Sequence, residues 1–469
     1  MSAPRPSVDV IGVIDSVPFL GLPLGVTLLT ICIMLVDGYD LQTMSFVAPA
    51  IVADWRVARA DLGWVFNGSM IGMAIGSVAL GRFADRIGRK GAFLVSLLFL
   101  CCGSLLSVHA RGLGELFGWR ALTGIGLGGL TPLAATIIAE WTPRRVRSIA
   151  VAFAVVSVPL GGMAGAMVAQ RVIPLFGWSA MFWIGAALPL VFFIAATWLL
   201  PESPRFLALD AARSVRLSRL LNRLLREPRF TGTERFHVGE PLAPARNWLG
   251  LILGGAYLRV TLLLWAAFAI NTTGLYAYAN WLPTVLTSAG FTQAAALDDL
   301  KYFNFGGFFG AVGGAMLIGR YGSRLVGTGL ALLGVGATVL VGVTLTAGSS
   351  PGLQLSGLLV AAGIAFSGMQ AFLYAVGAHS YPTYVRAAGV GSAQTISRIG
   401  GVLGGFAAAA FFGLRPQPPI STFFYAIATL SVGLAVSYFL LRSHIPPNHK
   451  QQTGGRELEA QALRDGAAP

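Results

Sequence analysis

Two carboxylates stand three residues apart in Val36-Asp37-Gly38-Tyr39-Asp40, inside a run that is otherwise apolar from Leu24 to Val52. In a membrane-spanning helix, each aspartate near the centre costs about 2.5 to 3.5 kcal/mol on insertion scales, so the pair needs a compensating role. Helical positions three apart share a face, so Asp37 and Asp40 project toward the same neighbours. Two close carboxylates in a poorly solvated site disfavour double ionisation, and a carboxyl that loads and releases a proton is what a proton-coupled carrier requires. The competing reading is that both acids only hydrogen-bond neighbouring helices.

Two arginines lie inside apolar runs: Arg398 near the middle of 387–412, and Arg120 little more than a turn inside 116–139. A guanidinium offers a planar fork that holds a carboxylate through two hydrogen bonds. Arg398, the deeper, is the first choice to bind a substrate carboxylate and Arg120 the second; a structural ion pair with Asp37 or Asp40 is the alternative. Tyr276, Tyr278, Trp281, Phe303, Phe305 and Tyr374 offer rings on which an aromatic substrate could stack, or anchors at a membrane interface. Asn271 could hydrogen-bond a substrate without carrying a proton. Asp85 with Arg86, Arg89 and Lys90, and Glu140 with Arg144, Arg145 and Arg147, read either as gate charges or as charge runs that only set topology. His379 reads as structural.

The elements that must position these residues follow from composition. Of 469 residues, 55% are hydrophobic and 11% charged, against about 25% charged in a soluble chain. Apolar runs long enough to cross a membrane fall near residues 24–52, 62–81, 91–109, 116–139, 148–170 and 178–200, and again near 256–287, 302–319, 325–346, 354–379, 387–412 and 420–441. They are continuous runs, which excludes the alternating strands of a membrane barrel. Sixty glycines suit helices that approach closely.

Net charge is +14, but the basic residues are scattered in short segments between the runs, which argues against nucleic acid. With a cytoplasmic amino terminus, 24 of the 33 Lys and Arg fall on the cytoplasmic side, as the positive-inside rule expects. Both termini are therefore expected in the cytoplasm, without a cleaved signal peptide. Cys32, Cys101 and Cys102 lie inside runs and indicate neither a disulfide framework nor a metal site.

A polar stretch from Pro201 to about Asn247 divides the runs six and six. Within it Arg213, Arg216, Arg219, Arg223 and Arg226 alternate with Leu217, Leu220, Leu221, Leu224 and Leu225, an amphipathic helix expected to lie along the lipid surface or to remain a solvated linker. The halves repeat. An offset of 239 sets Pro143, Val146 and Arg147 against Pro382, Val385 and Arg386, and Gly161-Gly162 against Gly400-Gly401. An offset of 234 sets Arg86, Gly88 and Lys90 against Arg320, Gly322 and Arg324, and Pro49 against Pro283. Paired six-helix halves are the repeat pattern of secondary transporters. Asp37, Asp40 and Asp85 meet Asn271, Gly274 and Gly319, so the acids are expected in the first half only.

Gly81-Arg-Phe-Ala-Asp-Arg-Ile-Gly-Arg-Lys90 resembles the loop signature of the major facilitator superfamily, Arg120-Ala-Leu-Thr-Gly-Ile-Gly126 its second motif, and Pro201-Glu-Ser-Pro-Arg205 a common ending of its sixth span. Asp37-Gly-Tyr-Asp40 with Pro49, Asn280-Trp-Leu-Pro-Thr284 and Ser397-Arg-Ile-Gly400 resemble the aromatic acid:proton symporter family within it. That resemblance implies an all-α membrane protein of twelve transmembrane helices in two six-helix halves, which imports hydroxybenzoate-type carboxylates with protons into bacteria by alternating access. Gly319 departs from the pattern, since an acid normally repeats there.

The expected segments are an amino-terminal tail 1–22, halves 23–200 and 251–442, a linker 201–250 and a carboxy-terminal tail 443–469. The expected partners are an aromatic carboxylate, protons and the lipid bilayer, with a monomer in the inner membrane and neither cofactor nor metal. Carriers of other organic acids, proton-coupled drug exporters and a non-transporting sensor are the alternatives. No HExxH, nucleotide loop or nucleophile motif stands in its expected context, so an enzyme is not expected.

Overall fold

The computed structural model describes residues 7–238, 248–255, 257–347, 352–381, 383–414, 416–441 and 444–445. The repeat's Pro382, linker residues 239–247, the first six residues and all of the tail 443–469 except His444 and Ile445 lie outside the described residues. The chain divides into two compact units, Met1–Leu242 and Ala243–Pro469.

In the first unit a short helix α1 (Val10–Ser16) precedes six long ones: α2 (Leu22–Trp55), α3 (Leu62–Ile87), α4 (Arg89–Val108), α5 (Leu113–Trp141), α6 (Arg144–Phe176) and α7 (Ser179–Leu199). Two short helices follow, α8 (Pro204–Ala208) and α9 (Ser214–Leu225). The second unit holds α10 (Trp248–Ile252) and six long helices, α11 (Leu258–Ser288), α12 (Gln293–Tyr321), α13 (Ser323–Thr346), α14 (Leu353–Ser380), α15 (Thr383–Gly413) and α16 (Ile420–Phe439). Twelve of these are long and apolar enough to cross a membrane. Their outer faces leave large apolar side chains exposed, among them Trp198, Leu175, Leu332 and Phe439. In a multi-pass membrane protein, lipid tails are the solvent for such faces.

The helices outrun the apolar runs wherever polar residues cap or extend them. Helix α12 begins at Gln293, nine residues before its run, because Thr292 accepts from the Ala295 N–H at 3.2 Å and starts it early. A departure from the all-α expectation is a small parallel ladder, β1 (Ser7–Asp9) on β2 (Arg235–His237), with Val8 opposite Phe236. It ties the amino-terminal strand to the linker within the first unit.

Helix α9 also departs from expectation. Three of its five leucines, Leu217, Leu221 and Leu224, are buried in the protein cluster that contains Val10, Ile14, Val17 and Leu207, while Leu220 and Leu225 are partly buried against it. The amphipathic face was legible, but protein covers it, because the short helices α1 and α8 supply the apolar surface that the linker needs.

Backbone contacts repeat across the units with the periods read from sequence. Gly72 and Gly76 on α3 face the carbonyls of Ala121 and Ile125 on α5, and Gly306 and Gly310 on α12 face those of Val360 and Ile364 on α14. Gly161 on α6 abuts the Leu35 carbonyl on α2, as Gly400 on α15 abuts that of Ala269 on α11. A Cβ at any of these positions would collide with the facing backbone, so small residues set the helix pairs that hold each half together.

Candidate functional site

The opening pair of acids is split by packing. Gly38, between them, lies against the Val158 carbonyl of α6, an approach that a Cβ would block. Asp40 is then wholly enclosed with Arg120 from α5, both at 0% exposure. Arg120 Nη2 stands 3.2 Å from Asp40 Oδ2 and donates to the Asp40 backbone oxygen at 2.9 Å, Nη1 lies 3.4 Å from Oδ1, and Nε donates to Ser69 Oγ at 3.2 Å. Ser104 donates to Asp40 Oδ1 at 2.9 Å, and the guanidinium lies 5.8 Å from the Phe182 ring centroid. A buried ion pair whose remaining donors and acceptors are hydrogen-bonded is the form in which such charges are tolerated. The sequence reading named Arg120 for a substrate carboxylate; here its fork is committed to Asp40 and closed off from solvent.

Asp37 is the contrasting case. It is 3% exposed, Thr131 donates to its Oδ2 at a long 3.4 Å, and its Oδ1 has no hydrogen-bond partner among the described residues. No cation among them pairs with it. Asn67 on α3 is equally buried, and neither atom of its carboxamide has a partner there.

Several of the charges expected as a gate form a clasp at one end of the first unit. Arg89 Nη1 is 3.4 Å from Asp85, which is exposed, and Nε is 3.7 Å from the buried Glu140. Ser203 donates a short hydrogen bond to Glu140 and caps α8 by accepting from the Phe206 N–H. Glu202 Oε1 accepts from the backbone N–H of Arg89 at 2.8 Å and Lys90 at 3.1 Å, so a carboxylate caps the first turn of α4. The N–H groups and dipole of a helix start favour an anion there. Arg144 and Arg147 do not pair with Glu140 but with Asp15, at 3.4 and 3.5 Å. Arg86 is exposed and outside the clasp's ion pairs. Glu202, Ser203 and Asp15 are the partners that sequence reading missed, although Glu202 and Ser203 lie in a motif noted only as a span ending.

Gly88, at the corner of this clasp, has φ 95° and ψ 164°, a region open essentially to glycine. An added Cβ would also meet the Glu202 carboxylate. Gly88→Ala is expected to lower stability by about 1–3 kcal/mol, read as a lower midpoint in thermal unfolding of the purified protein in detergent. An unchanged midpoint would show that the corner relaxes freely. Gly322 repeats the conformation at φ 80°, but there Ile445 supplies a carbonyl to the Ser323 N–H instead of an acid.

In the second unit the expected residues divide again. Asn271 is buried, and its Nδ2 donates to the Phe366 oxygen at 3.2 Å and to Gln370 Oε1 at 2.7 Å. Gln370 lies beside Tyr374, and the half-buried Arg398 lies within electrostatic range of Tyr276 and Tyr374. Beside Arg398, Ser397 shares a short hydrogen bond with Thr272. These residues make one polar network on α11, α14 and α15. Tyr278 and Trp281 are placed otherwise. Both are 0% exposed, Tyr278 stacks on Phe303 at 5.1 Å and donates to Thr338, and Trp281 stacks on Phe412 at 5.6 Å. Their rings are used in internal packing, while Phe305 is exposed.

The expectation that buried acids are confined to the first half is corrected by Asp299 on α12. It is 3% exposed, accepts from Ser356 at 2.8 Å through Oδ1, and has no partner for Oδ2 among the described residues. It lies just before the apolar run near 302–319, outside the stretch that hydropathy marks.

Comparison with known proteins places this geometry. The model for the Major Facilitator Superfamily matches residues 29–405. The chain is 34% identical over 413 residues to a 4-hydroxybenzoate transporter of Pseudomonas aeruginosa, covering 87% of this chain and 90% of that one. It is 32% identical over 439 residues to a gallate transporter of Pseudomonas putida, covering 92% and 94%. Among solved structures it is similar to a D-xylose–proton symporter, with a TM-score of 0.71 at 17% identity, covering 91% of this chain and 99% of that one.

Proposed function

The chain belongs to the Major Facilitator Superfamily, and we propose that it is a proton symporter importing aromatic carboxylates of the hydroxybenzoate type by alternating access. The observation that carries the coupling is the inequality of the two buried acids. Asp40 has its counter-charge in Arg120, so the pair is neutral as it stands. Among the described residues Asp37 has no cation beside it, and a proton is the counter-charge left to it. Asp37 is therefore the proton carrier, and Asp40 with Arg120 the fixed pair that shapes its surroundings.

For the substrate, the relatives named for 4-hydroxybenzoate and gallate support a ring bearing a carboxylate and hydroxyls. Arg398 is the group to hold the carboxylate, with Tyr276, Tyr374 and the Asn271–Gln370 pair to orient ring substituents. The clasp of Asp85, Arg89, Glu140, Glu202 and Ser203 is read as a cytoplasmic gate, its ion pairs biasing one orientation over the other. The halves 23–200 and 251–442 are joined by the linker 201–250. The protein acts as a monomer in the bacterial inner membrane with both termini in the cytoplasm, a topology supported by the excess of Lys and Arg on that side.

Uptake of labelled 4-hydroxybenzoate, benzoate and protocatechuate into proteoliposomes, with and without an inward proton gradient, tests the whole. Accumulation should require the gradient; gradient-independent flux removes the symport reading, and no flux of any aromatic acid removes the substrate reading. Arg398→Lys keeps the charge but loses the two-pronged geometry, so KM should rise about tenfold or more while the protein remains folded. An unchanged KM would take Arg398 out of carboxylate binding.

A further inference from the structure

A cavity of about 380 Å³ opens at the end of the first unit that carries the clasp, lined by Arg86 and Ile87 of α3, Glu202, Phe206 and Leu207 at α8, and Arg213, Arg216 and Leu220 at α9. That volume falls within the range of about 300–1,000 Å³ typical of small-molecule sites. Its charges are unequally committed. Arg213 is paired with Asp210 at 3.3 Å and lies 4.2 Å from the Phe206 ring centroid. Glu202 spends its carboxylate on the start of α4. Arg86 and Arg216 have no hydrogen-bond or ion-pair partner among the described residues.

Two unbalanced guanidinium groups thus share a cavity with the already engaged Glu202 and Arg213 and an apolar wall of Ile87, Phe206, Leu207 and Leu220. An occupant that satisfies both halves of this lining has an anionic head able to take bidentate hydrogen bonds and an apolar body to cover Ile87, Phe206 and Leu220. Phosphate oxygens match the guanidinium fork. The same segment also leaves Leu209 and Val215 exposed, as a surface facing acyl chains would. We infer that this cavity binds a phosphate-bearing anion, with Arg86 and Arg216 holding the phosphate, and the apolar wall favours a lipid headgroup as its source over free phosphate. Because the cavity joins the tip of α3 to the linker helix, its occupant bridges the clasp and the linker.

The test uses the purified full-length protein in a neutral detergent. Binding is followed by native mass spectrometry and by the shift of the thermal unfolding midpoint on titration with short-chain phosphatidylglycerol, and separately with inorganic phosphate. The expected result is saturable binding that weakens about tenfold or more in Arg86→Gln/Arg216→Gln. Arg219→Gln/Arg223→Gln, which removes two exposed charges of the same helix outside the cavity, should leave it unchanged. Arg216→Glu alone, on the exposed side of α9, gives the same readout if the double variant does not fold. Saturable binding of phosphatidylglycerol alone assigns the site to a lipid headgroup; saturable binding of inorganic phosphate as well assigns it to the phosphate group itself. Equal weakening in both arginine pairs, or no saturable binding of either probe, overturns the inference.

Discussion

Asp37→Asn is expected to insert and fold like the parent protein and to fail to accumulate substrate against its gradient. The substitution is nearly isosteric, and Thr131 can still donate to the side-chain oxygen that remains. No ion pair is broken, because none among the described residues reaches Asp37. The thermal midpoint should therefore stay within a few degrees of the parent, since the variant avoids the mechanisms behind large destabilisation. What disappears is the group that can take up and release a proton. Gradient-driven uptake should fall to background in proteoliposomes, while exchange of labelled for unlabelled substrate across the same membrane persists. Parent-like accumulation by Asp37→Asn would show that the acid is structural.

Asp40→Asn should behave in the opposite way. It leaves Arg120 charged, wholly buried and without its carboxylate, and breaking one side of a buried pair costs about 3–5 kcal/mol. Arg120→Met leaves the acid stranded and should cost a similar amount. The double variant Asp40→Asn/Arg120→Met removes both charges, and most of the lost stability should return, because the penalty lies in the uncompensated charge rather than in the missing contact. Thermal unfolding of all four proteins closes the cycle, with the coupling read as the departure from additivity. Strictly additive losses would mean that the pair at 3.2 Å contributes nothing as a pair. Taken with Asp37→Asn, the cycle separates two acids of identical type: one whose loss abolishes coupling at intact stability, and one whose loss unfolds the site.

That separation was out of reach of sequence. The spacing of Asp37 and Asp40 announced two acids on one helix face, and nothing in the spacing distinguishes them. Arg120 lies 80 residues from Asp40 and Ser104 lies 64 residues away, and only the packing of α5 and α4 beside α2 decides which acid receives the guanidinium. The clasp is a similar case. Asp85, Arg89 and Glu140 were legible as interacting charges by type and position, whereas Glu140's hydrogen-bond partner, Ser203, and the acid capping α4, Glu202, come from a segment more than sixty residues further on.

What the sequence by itself determined is the solvent and the count: continuous apolar runs of spanning length can hide their backbone polar groups only as helices in lipid, and there are twelve of them in two halves. The repeat was equally legible, because the glycines that let backbones touch must recur wherever the same helix pairs recur, and Gly72 with Ala121 and Gly306 with Val360 do so. Tertiary structure alone decided what each polar residue faces. It closed Tyr278 and Trp281 into packing, buried Leu217, Leu221 and Leu224 of α9 against protein, joined Arg120 to Asp40 and left Asp37 without a cation among the described residues. The physical reason is that hydropathy is a property of one segment in its solvent, whereas the state of a buried charge depends on the one or two groups that packing brings within about 4 Å.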